Sequence, residues 1–140
     1  MDKPIILPDD YKPSDDEEFM NPQQQEYFRQ KLLEWKTSLL EESAETVATL
    51  QEATLALPDL ADRASEESDR RLELRTRDRQ RKLIGKIDAA LRRIDDGTYG
   101  YCEMTGKPIN IRRLDARPIA TLSIEAQEMH EKAEKVHRDD

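Results

Sequence analysis

A lone proline between two long stretches that nothing else breaks is the feature that constrains this chain most. From Pro22 to about Leu55, and again from about Arg63 to about Asp95, no proline interrupts a helix. Pro58 disfavours helical geometry at Leu57 and marks a turn between the two stretches. Asn21 can cap the first free N–H groups, and Pro22 suits the first helical position, where its missing N–H costs nothing. Asp62 reads as the N-cap of the second helix, with Ser65 and Glu66 in its first turns. Phe28, Leu32, Trp35 and Leu39 fall in one stripe, which turns polar at Glu42 and Thr46. Leu83, Ile87, Ala90 and Ile94 form a second stripe, continued upstream by Arg79, Thr76 and Leu72. An antiparallel hairpin brings the two apolar ends together and leaves a polar tip near Asp59. About 34 residues per helix predict a hairpin about 50 Å long.

The rest of the chain divides around that hairpin. Residues 1–20 hold Pro4, Pro8, Pro13 and the run Asp15-Asp16-Glu17-Glu18, which predicts an extended or disordered acidic arm. Residues 21–95 are the coiled-coil hairpin, with its tip at about 57–64. Residues 96–140 form a small globular base, ended by a helix from Leu122 to about His137. Gly97 suits a left-handed helix C-cap. A small two-stranded element is expected around Tyr101 and Ile109-Asn110-Ile111. The predicted fold class is mainly α: a long antiparallel coiled-coil hairpin on a base with a zinc-ribbon-like segment.

Charge narrows the function. The net charge of −8 argues against nucleic acid as a direct partner. Residues 70–93 nonetheless carry ten Lys/Arg against three acids. That basic helix is either a solvated face paired with the net-acidic first helix or a local phosphate site. No apolar run approaches the length of a membrane span, and the N-terminus lacks the pattern of a secretory signal. The lone Cys102 has no intramolecular disulfide partner. These features point to the cytoplasm.

Gly100-Tyr101-Cys102-Glu103-Met104-Thr105-Gly106 has the shape of one half of a zinc ribbon, which needs two thiolates three residues apart on a tight knuckle. The second pair of ligand positions falls at Ser123 and Ala126. Where a zinc site would carry four cysteines, the frame reads Cys102, Thr105, Ser123, Ala126. One thiol, two hydroxyls and a methyl do not hold zinc at structural affinity, so no metal is expected.

The ordered set Tyr27-Phe28 to Trp35, Pro58-Asp59 with Asp62-Arg63-Ala64, Leu72-Glu73-Leu74-Arg75, Arg77-Asp78-Arg79 and Arg81-Lys82-Leu83-Ile84 continues into Tyr99-Gly100-Tyr101-Cys102-Glu103 and Arg112-Arg113-Leu114-Asp115-Ala116-Arg117-Pro118. Over nearly its whole length the chain resembles the DksA/TraR family, in a cysteine-poor form with a degenerate zinc finger. The resemblance implies a regulator that enters the secondary channel of bacterial RNA polymerase and acts with ppGpp to destabilise open complexes. It implies inhibition of ribosomal RNA promoters and activation of some amino-acid biosynthesis promoters. By the same resemblance Asp59, Asp62 and Ala64 are the tip residues that approach the polymerase active site. Arg79, Leu83, Lys86 and Arg117 match positions lining a ppGpp site shared with the polymerase. The family's basic residue after the fourth ligand position is here Gln127, which weakens that nucleotide site.

Each of these residues has a plainer role open to it. Asp62 can be a simple N-cap and Asp59 a turn residue. The four ppGpp positions can be ordinary surface. Cys102 reads as a structural remnant, and His130 and His137 as surface residues of a charged helix. The alternative function is a generic coiled-coil adaptor with no polymerase role. A metal-dependent enzyme built on Asp59 and Asp62 would need a histidine, and both histidines lie at the other end of the hairpin. No catalytic residue is assigned, and a monomer without enzymatic activity, direct DNA reading or membrane attachment is expected.

Overall fold

The fold is that of a computed structural model, which describes residues 5–56 and 60–139, with the side chains of 50, 53–56, 60–65, 138 and 139 excepted. It comprises helices α1 (Pro22–Ala56), α2 (Leu60–Asp96), α3 (Ile111–Ala116) and α4 (Ile124–Asp139). The chain divides into two compact units, one holding residues up to Leu32 together with Ala89 onwards, the other Leu33–Asp88. Among the described residues the β-structure is one isolated antiparallel bridge, Tyr101 to Pro108. No described helix is long and apolar enough to cross a membrane.

Both ends of the helix pair in the first unit are capped as their sequences dictate. The Gln24 backbone N–H donates to Asn21 Oδ1 at 2.8 Å, which starts α1. At the end of α2, Gly97 takes φ +82° and the Thr98 N–H reaches back to the Arg93 carbonyl at 2.9 Å. Such a left-handed C-cap is open to glycine without the Cβ penalty. Phe28, Leu32, Ala90, Ile94, Tyr99, Ile109, Ile111 and Leu114 are buried and form the core of this unit.

The acidic arm is neither helix nor strand over residues 5–21, but it is docked rather than free. Gln24 is fully buried, and its amide accepts from the Met20 N–H at 2.8 Å and donates to the Ser14 carbonyl at 3.3 Å. Tyr11 donates to Glu17 at 2.9 Å and stacks edge-on against Tyr27. Phe19 meets Tyr101 edge-on, and Phe19 and Met20 come so close to Gly100 (φ +91°) that a Cβ there would meet both at 3.1 Å. A buried glutamine and two aromatic contacts thus order a segment whose composition alone reads as unstructured.

In the second unit α1 and α2 run antiparallel. Lys36 Nζ lies 2.7 Å from Asp88 Oδ1, and Ser43 donates to Gln80 Oε1 at 2.7 Å. Among the described residues, Leu39 and Ile87 are its buried apolar ones. The seam of α2 beyond them departs from the stripe expected at Arg79, Thr76 and Leu72, all three of which are exposed. The less exposed positions are Gln80, Arg77, Glu73, Arg70 and Glu66. Arginine and glutamate stems can lie along a seam with their heads turned outward, so charged residues occupy it.

Two further boundaries differ from the sequence reading. Ile111 opens α3 instead of a strand, because the Asn110 side chain accepts from the Arg112 N–H at 2.8 Å and caps a helix there. The second helix begins at Leu60, so Asp62 stands inside its first turn and is not its N-cap. The turn assigned to Leu57-Pro58-Asp59 lies outside the described residues.

Burial separates the two faces of α1 energetically. Leu32 is fully buried and Leu40 half exposed. In urea unfolding, Leu32→Ala is expected to cost about 2–5 kcal/mol and Leu40→Ala no more than about 0.5 kcal/mol. Equal losses at the two positions would contradict this packing.

Candidate functional site

Arg79, Leu83 and Lys86 lie four and then three residues apart on α2, which sets them on one helix face. Arg79 and Lys86 are exposed and Leu83 is half-buried. Among the described residues neither cation makes an ion pair. The expected pairing of a basic α2 with an acidic α1 does not account for them. Among the described residues, α1 is joined to α2 through Lys36–Asp88 and Arg29–Asp95, each with the cation on α1 and the acid on α2. This face of α2 therefore keeps its positive charge available to an outside anion.

Arg117, in the first unit, is exposed and likewise without an ion pair among the described residues. It closes α3, its backbone N–H donating to the Arg113 carbonyl at 2.7 Å. The segment around it is tied down on several sides. Asp115 accepts from the Tyr27 hydroxyl at 2.6 Å and from Lys31 Nζ at 2.7 Å, and Lys31 also reaches the Asp115 carbonyl at 2.6 Å. The buried Tyr99 hydroxyl donates to the Pro118 carbonyl at 2.8 Å, and Arg113 Nε to that of Leu122 at 2.8 Å. A guanidinium presented from a fixed backbone, like an ammonium on a helix face, is suited to phosphate oxygens through charge-assisted hydrogen bonds.

The clamp on Asp115 was not singled out from sequence, where Tyr27 and Lys31 are merely polar residues beside the apolar stripe. Burial pushes the Asp115 carboxyl up, but the hydrogen bonds from Lys31 and Tyr27 and the lysine charge outweigh it and hold the group below the usual aspartate range. Burial, then the hydrogen bond to Asp115, pushes the Tyr27 phenol up to about 12.

Of the expected tip residues, Asp59 lies outside the described residues. Asp62 and Ala64 belong to the first turns of α2, and their description stops at the helical backbone. Gln127 sits on α4, its side chain donating to Glu131 at 3.1 Å. His130 pairs with Glu134 at 3.1 Å on the exposed face of the same helix, and His137 is exposed.

The zinc-ribbon-like loop is closed by its backbone. Cys102 N–H donates to the Lys107 carbonyl and Gly106 N–H to that of Cys102, both at 2.8 Å. Cys102 is buried, and its sulfur accepts from the Ser123 N–H at 3.4 Å. A hydrogen bond from Thr105 pulls its thiol down most strongly; burial opposes this, and backbone N–H groups of Ser123, Thr105 and Met104 assist, leaving it at about 6. Ser123 Oγ accepts from the Ala126 N–H at 3.2 Å, and Ala126 is buried.

Comparison with known proteins places this architecture in a class. Residues 24–94 match the family described as "DnaK suppressor protein DksA, N-terminal domain", and residues 97–132 match "Prokaryotic dksA/traR C4-type zinc finger". The chain belongs to the DksA/TraR family. It is 65% identical over 136 residues to the RNA polymerase-binding transcription factor DksA of Caulobacter vibrioides strain NA1000, covering 97% of this chain and 96% of that protein. With the Escherichia coli K12 protein of the same name it shares 44% over 125 residues, covering 89% of this chain and 83% of the other. The solved structure of transcription factor DksA2 from Pseudomonas aeruginosa matches with a TM-score of 0.78 at 43% identity, covering 84% of this chain and 90% of that one.

The zinc that the second family's description implies does not fit the residues present. A structural zinc site closes with four cysteine or histidine ligands. Here the sulfur of Cys102 and the hydroxyl of Ser123 already accept backbone N–H groups, and Ala126 offers a methyl. The described residues hold no group of three or more His, Cys, Asp or Glu able to take a metal ion.

The Asp115 clamp gives a pH signature. Because its folded pKa lies below the unfolded value of about 3.9, its contribution is complete above that value and fades as pH falls through the folded pKa. The stability gap between the parent and Asp115→Asn should thus be constant above about pH 5 and shrink below about pH 4. Partial exposure keeps the gap near 1 kcal/mol or less. A gap that widens on acidification would contradict the assignment.

Proposed function

We propose that this protein regulates transcription by binding bacterial RNA polymerase in its secondary channel and acting there with ppGpp. The reading rests on the 65% identity, over almost the full length, to a relative named for polymerase binding. The cations Arg79 and Lys86 on one face of α2, without an ion pair among the described residues, and Arg117 on its tethered segment support a polyphosphate partner. In this reading Asp59, Asp62 and Ala64 approach the polymerase catalytic region. There the carboxylates perturb the field around the catalytic magnesium without forming a metal site of their own. Open complexes lose stability, ribosomal RNA promoters are inhibited, and some amino-acid biosynthesis promoters are activated. The protein supplies charge and position and performs no chemistry itself.

Two measurements separate the parts of this reading. Lys86→Ala and Arg117→Ala each remove a cation facing the polyphosphate, worth about 1.5–3 kcal/mol for a charge-assisted bond. Both should raise the ppGpp concentration needed for regulation and leave polymerase affinity unchanged. If both variants respond to ppGpp like the parent, the nucleotide assignment fails.

Asp59→Asn and Asp62→Asn change charge at nearly constant shape, and each should alter stability by no more than about 0.5 kcal/mol. The double variant should bind polymerase like the parent yet lose inhibition of a ribosomal promoter in vitro. A coiled-coil adaptor without a polymerase role predicts no polymerase binding by the parent itself. Full inhibition by the double variant would remove the tip from the mechanism.

A further inference from the structure

Three of the four positions at which a zinc ribbon carries its ligands, Cys102, Ser123 and Ala126, are joined in this chain by hydrogen bonds. Thr105, the fourth, accepts from the Lys107 N–H at 3.2 Å within the loop that presents the Cys102 sulfur. That sulfur accepts from the backbone N–H of Ser123 at 3.4 Å, and Ser123 Oγ accepts from the N–H of Ala126 at 3.2 Å. We infer that this chain of bonds replaces the metal: it ties the Tyr101–Pro108 loop to the start of α4, so that the base folds without zinc while keeping the four-cornered frame of a zinc site.

Three features carry the inference. The connection has the same two ends as a zinc bridge, since Cys102 belongs to the loop and Ser123 immediately precedes α4. A second bond crosses the same gap, from Glu103 N–H to the Thr121 carbonyl at 2.9 Å, so the junction does not rest on sulfur alone. Each substituted position has a role suited to its own chemistry. Ser123 is the N-cap of α4, covering a donor that a helix start leaves bare. Ala126, 1% exposed, puts a methyl group into the space of a fourth ligand. The pairs 102/105 and 123/126 retain the three-residue spacing of a four-ligand knuckle, and contact between Cys102 and Ser123 keeps them together.

The test uses the full-length protein, with zinc content and melting temperature as readouts. The parent should contain well under one zinc ion per chain by elemental analysis, and a strong chelator should leave its melting temperature unchanged. Ser123→Ala, which removes the cap while leaving Cys102 intact, should lower the melting temperature by roughly 3–5 °C. Thr105→Cys, Ser123→Cys and Ala126→Cys combined should take up a single zinc ion per chain and become sensitive to the chelator. Stoichiometric zinc in the parent, or a chelator-induced drop in its melting temperature, would overturn the inference. An unchanged melting temperature for Ser123→Ala would show that the Ser123–Ala126 link contributes nothing and would overturn the chain of bonds as a replacement for the metal. Absence of zinc uptake by the triple variant, folded or not, would show that the frame is lost.

Discussion

Phe28 has no exposed surface, and its ring centroid lies 5.5 Å from that of Tyr99, whose hydroxyl donates to the Pro118 carbonyl. Through this contact the apolar stripe of α1 becomes the floor on which the segment carrying Arg117 is set. Tyr27, one residue earlier, meets Phe28 edge-on and holds Asp115 through its hydroxyl. Two adjacent aromatics on one helix turn thus fix one backbone segment, one by burial and one by a charge-assisted hydrogen bond. A fully buried phenylalanine is worth several kcal/mol, whereas a partly exposed ion pair is worth at most about one. Placement of Arg117 therefore depends first on hydrophobic packing, with the Asp115 clamp refining it.

What could be read from the sequence follows from the range of each interaction. Asn21-Pro22 and Gly97 act through their own backbone neighbours, and the structure has the helix start and the left-handed cap they specify. The apolar stripes from Phe28 to Leu39 and from Leu83 to Ile94 were legible because burial and hydropathy coincide there. Beyond Leu83 they part company. Arg77 and Arg79 are chemically identical, and only the helix phase distinguishes the half-buried one from the exposed one. Ile109 and Ile111 alternate like strand residues, but Asn110 between them caps a helix. The docked arm was illegible for a related reason: its order depends on Gln24 and Tyr101, which lie outside it in sequence.

The candidate site shows the same division. Basic residues spaced along one face of α2 can be seen in the sequence, whereas their lack of ionic partners cannot. Acidic α1 and basic α2 look complementary in bulk, yet two cross-helix pairs among the described residues run the other way, Lys36 to Asp88 and Arg29 to Asp95. Net charge per helix is a poor guide when pairing is decided by which few residues flank the seam. The tether of Arg117 was hidden because Lys31 and Asp115 are 84 positions apart.

A helix chosen for stability alone would not carry the charge pattern of α2. Arg75 and Arg79, Arg77 and Arg81, and Lys82 and Lys86 are like-charged pairs four residues apart. Each such pair costs a few tenths of a kcal/mol, where an acid in one position would have gained as much. The chain is not short of acids, since its net charge is −8. Nor does the seam relieve the repulsion, because Arg79, Arg81, Lys82 and Lys86 are all exposed. Local choices that oppose folding in this way are expected where a surface serves a partner. Concentrated positive charge on one helix of an acidic protein suits a compact polyanion. It would be poorly suited to tracking extended nucleic acid, which the remainder of the chain repels.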